Sequence, residues 1–207
     1  PDIARSAVVL DEVDQNKKEF DKAEEYAIQA YEMRREALGT DDPRSGESSF
    51  FLGTLYFKQQ MLEKAQPYLV EALAFYEHHD RKNYLLLGNI HQYLGTIYIQ
   101  QEKTDRAVSH YEKALAAWDS YYTEDHPKVA IALIDMASIY FDQEEYEKAE
   151  SYYTRALPII EKILGNDHPQ VTAVLMDLKI IYRQLNKTDE LEKITQRIDN
   201  RRSTEEI

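Results

Sequence analysis

The sequence predicts an all-α protein assembled from repeated helical hairpins, and three observations lead to that fold class. Apolar residues are spaced three and four apart, as on one face of a helix. Small residues and tyrosines recur with a fixed period, which is typical of stacked units that cannot bury their apolar faces alone. The tyrosines are Tyr56, Tyr98, Tyr140 and Tyr182, and the small residues form the columns Gly53, Gly95 and Ala137, Ala23, Ala65, Ala107 and Ala149, and Ala30, Ala72, Ala114 and Ala156.

The first helix of each unit carries one apolar face with a small residue at its centre. In the third unit, His91, Leu94, Gly95 and Tyr98 fall at i, i+3, i+4 and i+7. Glycine inside a helix costs about 1 kcal/mol relative to alanine. Its recurrence therefore predicts that a neighbouring helix approaches closely at this column. The tyrosine that follows is expected to fill the space between helices and direct its hydroxyl to a polar partner.

The second helix of each unit carries the alanine columns, and a short linker leads to the next unit. Pro67 and Pro158 lie inside second helices, where each removes one backbone hydrogen bond. Gly39 and Gly165 suit a left-handed residue at a helix end. Three linkers close on Asp-Pro or Asp-His-Pro, which predicts that proline occupies the first turn of the next helix while a preceding residue caps it.

These columns place five helix–turn–helix units in a single domain over residues 1–199, with ten helices. The units span approximately residues 4–38, 46–79, 88–120, 130–163 and 172–199. The last helix keeps few apolar residues, so we expect it to cap the array with a polar outer face. Residues 200–207 are expected to form a frayed tail.

Composition excludes several function classes. The formal charge of −13 disfavours binding to nucleic acid or an anionic membrane and favours basic partners. No apolar run approaches the ~18 residues of a membrane span, so no membrane insertion is expected. No nucleophile–base pair, phosphate-binding loop or metal-ligand helix is present. The adjacent His78 and His79 do not share a helix face, so we expect no catalytic residues, no metal and no cofactor.

The chain begins at Pro1 without an initiator methionine and resembles a fragment of a longer protein. Targeting information is therefore absent from the sequence, and a cytoplasmic location is the default expectation.

The columns resemble the tetratricopeptide repeat, whose unit has small residues at its eighth, twentieth and twenty-seventh positions. In the unit that begins at Gly88 these are Gly95, Ala107 and Ala114. The extended period and linkers such as residues 164–171 look like the kinesin-light-chain variety. The resemblance implies a right-handed α-solenoid whose first helices line a concave groove for an extended peptide or partner helix.

The helical wheel defines the face that would line this groove. If positions 4, 7, 8 and 11 of each unit are buried, positions 2, 5, 9 and 12 form the adjacent face, flanked by position 13. That face is apolar with polar interruptions, which suits a partner with spaced apolar anchors. The predicted site residues are Glu47, Phe50, Thr54, Phe57, Lys58, Asn89, Gln92, Thr96, Ile99, Ile131, Ile134, Ser138, Phe141, Asp142, Met176 and Arg183.

Two types of groove binding site that the resemblance implies are not matched by the residues of this chain. The clamp that binds a terminal carboxylate needs lysine and asparagine at defined positions, and no unit supplies it. Kinesin light chains carry adjacent asparagines at the fifth and sixth positions, where this chain has Phe50 and Phe51, or Ile134 and Asp135. Either site type would therefore need a different set of residues here.

The sequence favours a non-enzymatic interaction scaffold that binds a protein or peptide partner in the groove. A basic partner is one form of this hypothesis. Two alternatives stay open. The first is a peptide-sensing regulatory module in which the ligand changes the pitch of the superhelix. The second is a self-assembling adaptor, in which the chain forms a homo-oligomer through its own groove or outer surface.

Overall fold

The computed structural model describes residues 17–122 and 126–205, and over these ranges the fold is all-α, as predicted. The described residues form nine helices rather than the ten expected. The tenth, the first helix of the unit at 4–38, falls on residues 1–16, which lie outside the described residues. The helices are α1 (Lys17–Leu38), α2 (Pro43–Lys58), α3 (Leu62–His79), α4 (Tyr84–Gln100), α5 (Thr104–Tyr121), α6 (Pro127–Asp142), α7 (Tyr146–Leu164), α8 (Pro169–Gln184) and α9 (Thr188–Glu205).

The chain divides into two compact units, and the division falls between His110 and Tyr111 in the sequence of α5: unit 1 spans Pro1–His110 and unit 2 spans Tyr111–Ile207. In unit 1, α1 packs on α2, α2 on α3 and α3 on α4, and α2 also touches α4. In unit 2, α6 packs on α7, α7 on α8 and α8 on α9. Within each unit, these helices thus pack on their neighbours in sequence.

The alanine columns are the points of closest packing between helices. Six of the eight alanines are fully buried, and the two partly exposed members, Ala23 and Ala30, both lie on α1. Gly53 shows why the column at the centre of the first helix stays small. A Cβ atom built there would lie 2.7 Å from Leu69 Cγ and 3.1 Å from the Leu69 backbone nitrogen. The predicted close approach is confirmed at Gly53.

Two members of the tyrosine column stack on a tyrosine twelve positions later, on the second helix of the same hairpin. Tyr56 stacks on Tyr68 with ring centroids 5.7 Å apart, and Tyr140 stacks on Tyr152 at 5.6 Å. The Tyr56 hydroxyl donates to Glu24 Oε1 at 2.9 Å. Burial, followed by the contact with Glu24, raises the pKa of Tyr56. The expected polar partner of the tyrosine column is confirmed at this position.

The turn between the two helices of a hairpin recurs four times with the same backbone geometry. Its left-handed residues are Gln60, Glu102, Glu144 and Asn186, with φ of 59°, 58°, 60° and 56°. In each turn the following backbone N–H donates to the carbonyl of the tyrosine column, from Met61 to Tyr56 at 2.9 Å in the first case. The N–H of the left-handed residue itself donates to the carbonyl of the residue after the tyrosine, from Gln60 to Phe57 in the first turn. This double bond pattern is the Schellman motif, and it closes all four turns with main-chain groups.

The linkers confirm the predicted roles of proline and of the residue before it. Pro43, Pro127 and Pro169 each occupy the first turn of α2, α6 and α8. The helices begin at these prolines, three residues before the predicted unit starts at 46, 130 and 172, because the fixed φ of proline already belongs to the helix. The N-cap residues are Asp42, His126 and His168, and each side chain accepts the N–H two residues later.

Where the linker has neither glycine nor proline, Asn83 supplies the cap. Its Oδ1 accepts the Leu86 N–H at 3.4 Å, and α4 begins at Tyr84. Gly39 and Gly165 adopt φ of +80° and +86° after α1 and α7, the left-handed conformation predicted for them.

The last helix extends beyond the end that the sequence predicts for the array. A frayed tail was expected from residue 200, whereas α9 continues to Glu205. Residues 200–205 contain neither glycine nor proline. Nothing in the local sequence therefore stops the helix.

The cap of α6 depends on a neutral histidine ring. His126 Nδ1 accepts the Lys128 N–H at 3.2 Å, and only the neutral ring can do so. Burial, followed by the Lys128 charge, lowers the pKa of His126. A lowered folded-state pKa means that this contribution is complete above about pH 6.5 and is lost as the pH falls through the folded-state value.

We therefore predict that lowering the pH from about 7 to about 5 reduces the free energy of unfolding less in His126→Asn than in the unmodified chain. The difference between the two losses should be up to about 1 kcal/mol. Asparagine keeps the cap but does not titrate. The measurement is the urea midpoint at each pH. His126→Ala is the control, because it should be less stable already at pH 7. An equal acid response of the Asn variant and the unmodified chain would refute the cap's role.

Candidate interaction surface

In α2, the predicted face is less exposed than the helical wheel implies. Thr54 is buried, and its hydroxyl donates to the Phe50 carbonyl of its own helix at 2.9 Å. Phe57 is half-buried because its ring packs against Tyr93 of α4, with centroids 4.6 Å apart. Glu47 and Lys58 are exposed at the two ends of the helix. Of the predicted residues of α2, the structure thus brings Phe57 against α4.

In α4, Asn89, Gln92 and Thr96 are half-buried and form the polar part of the face. The Thr96 hydroxyl donates to the Gln92 carbonyl at 3.2 Å, as Thr54 does one period earlier. Ile99 is the exposed apolar residue among the predicted positions of this helix, with 37% of its surface accessible. On the predicted face, unit 1 therefore presents Ile99 beside the half-buried pair of Phe57 and Tyr93.

The face of unit 2 is more apolar and more open. Ile131 of α6 is 43% exposed, and Met176 of α8 is 36% exposed. Ile180, on the same face of α8, is 42% exposed. The remaining predicted residues comprise half-buried Ile134, Ser138 and Phe141 and exposed Asp142 and Arg183. Ile131, Met176 and Ile180 are thus the exposed apolar residues of the predicted face in unit 2.

Two half-buried aspartates, Asp135 and Asp177, lie next to predicted face residues of unit 2 in the sequence. Asp177 of α8 accepts a hydrogen bond from the Tyr153 hydroxyl at 2.9 Å, and the same hydroxyl lies 3.0 Å from Ser138 Oγ. Burial raises the pKa of Asp177, and the nearby Asp142 carboxylate raises it further. Burial also raises the pKa of Asp135 of α6, against a hydrogen bond with Tyr111.

Sequence reasoning did not place Asp135 and Asp177 in the site. It treated Asp135 only as a departure from a known groove pattern. The two aspartates are themselves 42 residues apart, on equivalent positions of α6 and α8. That spacing is the signal that could have found them.

The histidines lie in packing and capping positions. His91 is only 5% exposed, and its Nδ1 lies 3.0 Å from His110 Nδ1. One ring must donate and the other accept, so the pair joins α4 to the start of α5. His78 and His79 pack edge to face at the end of α3.

Over residues 17–122 and 126–205, no group of three or more histidine and carboxylate side chains is arranged to hold a metal ion. Within the same part of the chain, no helix has both the length and the apolarity needed to cross a bilayer.

Comparison with known proteins gives the following similarities. A model of the tetratricopeptide repeat family matches residues 4–78, 86–162 and 131–190. BtubC (BKLC) from P. vanneervenii is similar in structure, with 25% identity, a TM-score of 0.61, and coverage of 89% of this chain and 74% of that chain. No curated protein sequence matches significantly.

Two further solved structures share the fold. The nearly identical TPR-like repeats of a Podosopora anserina protein assigned as a kinesin light chain have a TM-score of 0.69, with 18% identity over 97% of this chain and 95% of that chain. MamA has a TM-score of 0.60, with 19% identity over 91% of this chain and 92% of that chain. At these identities the likeness concerns the fold alone.

Proposed function

Because this chain belongs to the tetratricopeptide repeat family and carries repeats of the kinesin-light-chain-like kind, we propose that it is a non-enzymatic interaction module. It binds a segment of another protein on the exposed face of its first helices. Repeat families of this kind present extended surfaces built from successive units. Fold alone does not name the partner, so the proposal depends on the residues of that face.

The observation that carries the proposal is the exposure of apolar side chains on this face. Ile99 in unit 1 and Ile131, Met176 and Ile180 in unit 2 each leave more than a third of their surface accessible. The buried stripes of the same helices, with Ile90, Leu94, Leu133 and Leu175 at 0% exposure, already supply the cores of the two units. The exposed residues are therefore available as anchors, which usually carry most of the binding energy.

Polar residues next to the anchors would set the position of the partner. Gln92 on α4 offers an amide that both donates and accepts, and an extended peptide needs both kinds of group along its backbone. The half-buried position of Gln92 limits the number of its rotamers, which lowers the entropic cost of binding.

The proposal predicts that a charge placed among the anchors abolishes binding. Peptides selected from a displayed random library on the full chain serve as probes. Ile99→Glu is expected to weaken peptides that bind unit 1, and Met176→Glu those that bind unit 2, each by more than about tenfold, since a carboxylate cannot replace a buried anchor. Fluorescence anisotropy measures the affinity.

Two matched controls carry the same chemical change on second helices. Val70 of α3 is 45% exposed and Ile163 of α7 is 41% exposed, close to the values of the anchors. Val70→Glu and Ile163→Glu should therefore bind the selected peptides within about twofold of the unmodified chain. If the control variants lose binding as much as the anchor variants, the first helices are not the binding face.

A further inference from the structure

The face of α6 and α8 in unit 2 combines exposed apolar groups with carboxylates that are partly out of water. We call this surface the unit 2 face and define it by Ile131, Asp135, Asp142, Met176, Asp177 and Ile180. The Tyr153 hydroxyl links the two helices: it donates to Asp177 Oδ2 of α8 at 2.9 Å and lies 3.0 Å from Ser138 Oγ of α6. Ser138 lies one helical turn before Asp142, so Asp142 and Asp177 lie on adjacent parts of the same face.

Two carboxylates of this face, Asp135 and Asp177, are poorly stabilised in their charged form. The largest influence on both Asp135 and Asp177 is burial, which disfavours the ionised state, and the main compensation comes from the Tyr111 and Tyr153 hydroxyls. A neutral hydroxyl compensates less than a cation does. A positive charge brought to this position would therefore gain more than it would at an exposed carboxylate.

Resting on the proposed function, we propose that the unit 2 face binds a basic amphipathic segment of a partner protein. The segment inserts a lysine or arginine between Asp142 and Asp177 and places apolar side chains against Ile131, Met176 and Ile180. Both halves of this match are needed. The apolar contacts supply affinity, and the carboxylates select against acidic segments.

The charge of the chain argues against other occupants. With a formal charge of −13, two copies meeting through an acidic face would repel each other. The same repulsion disfavours nucleic acid and anionic lipid. Only a cationic partner gains from both the local and the overall charge.

Unit 1 does not share this chemistry, which makes the inference specific to unit 2. The positions equivalent to Asp135 are Phe51 and Tyr93, and those equivalent to Asp142 are Lys58 and Gln100. The first helices of unit 1 thus carry aromatic, cationic and neutral groups where unit 2 carries carboxylates. A basic segment should therefore prefer unit 2.

The experiment uses the full chain and three labelled synthetic peptides of about 18 residues, which is slightly longer than α6. The first peptide has leucines at helical spacing and lysines elsewhere, the second replaces every lysine with glutamate, and the third keeps the lysines but replaces the leucines with serine. Fluorescence anisotropy at about 150 mM salt, where long-range attraction is screened, measures each affinity. The first peptide should bind at least about tenfold more tightly than either of the others.

A triple variant tests the carboxylates. Asp135→Asn, Asp142→Asn and Asp177→Asn together should weaken the first peptide by at least about tenfold. The charge-matched control, Glu147→Gln, Glu190→Gln and Glu192→Gln, changes exposed carboxylates on α7 and α9, and it should stay within about twofold. Asp142→Asn alone, at an exposed residue, gives a smaller loss and serves if the triple variant does not fold.

The outcomes separate this inference from the proposed function. Three outcomes would each overturn the inference. The glutamate peptide or the serine peptide could bind as tightly as the first peptide, or the two triple variants could lose affinity equally. Self-association that strengthens in the Asn variant, seen by sedimentation equilibrium, would assign the face to a second copy and overturn it as well. If library peptides lose binding with Met176→Glu yet are neutral or acidic, the proposed function stands and the basic partner is excluded.

Discussion

Replacing Trp118 with alanine is expected to lower the free energy of unfolding by about 3–5 kcal/mol, the usual cost of removing a large buried aromatic side chain. Trp118 has 0% exposure and is the largest of the fully buried side chains. It lies in the part of α5 that belongs to unit 2. The cavity left by alanine cannot be filled without moving helices that are already closely packed.

The matched variant Trp118→Phe should cost far less, about 1–2 kcal/mol. Among the residues that the structure describes, the indole Nε1 has no hydrogen-bond partner, so phenylalanine loses volume but no hydrogen bond there. Urea unfolding followed by circular dichroism measures both variants, since Trp118 is the single tryptophan and its fluorescence is lost with it. Equal costs for the two variants would show that packing volume is not what Trp118 supplies.

Replacing Gly53 with valine is expected to destabilise unit 1 by about 2–3 kcal/mol through overpacking. The new Cβ would lie 2.7 Å from Leu69 Cγ and 2.8 Å from Leu69 Cδ2. The Leu69 side chain can turn away only in part, because the Leu69 backbone nitrogen lies 3.1 Å from the same point. α2 and α3 must therefore separate to admit the larger residue.

Two controls test this explanation. Ala74→Val makes a similar change at an exposed site on α3, and it should cost only about 0.5 kcal/mol of helix propensity. Ala137→Gly, in the same column as Gly53, should also destabilise, by about 1 kcal/mol, because α6 already accommodates the Ala137 methyl group. If Gly53→Val unfolds at the same urea concentration as Ala74→Val, the close approach at Gly53 does not limit the packing.

The features that could be predicted from the sequence depend on residue type at matched positions. Alanine and glycine columns predict contact between helices because only small side chains permit it, and Ala65 and Ala107 are accordingly at 0% exposure. Proline predicts the first turn of a helix because its φ is fixed, and Pro43 and Pro127 lie there. These relations are local, so one sequence is enough to reveal them.

The turns inside the hairpins could not be predicted in the same way. Gln60, Glu102 and Glu144 are not residues that favour a left-handed conformation. Main-chain hydrogen bonds to the end of the preceding helix impose it, and no side-chain pattern records those bonds. Only Asn186, the fourth member, has a side chain that tolerates this conformation well.

The candidate face was predicted as a set of positions, but its character depends on tertiary contacts. The wheel cannot show that Thr54 is buried or that Phe57 rests on Tyr93, since both depend on how α4 lies beside α2. It likewise assigns no role to Asp177, whose surroundings are made by Tyr153 from another helix. The predicted site residues therefore stay a prediction, to which the structure adds the two aspartates.

The four hairpin turns have a consequence for how such a chain can change its length. Each is closed by backbone atoms alone, and the closure recurs at the same offset from the same tyrosine. A duplication or deletion of one period could begin and end in hairpin turns of the same backbone geometry, whatever residues those turns contain. The number of repeats can therefore change in evolution without a new type of turn, while side chains on the exposed faces remain free to diverge.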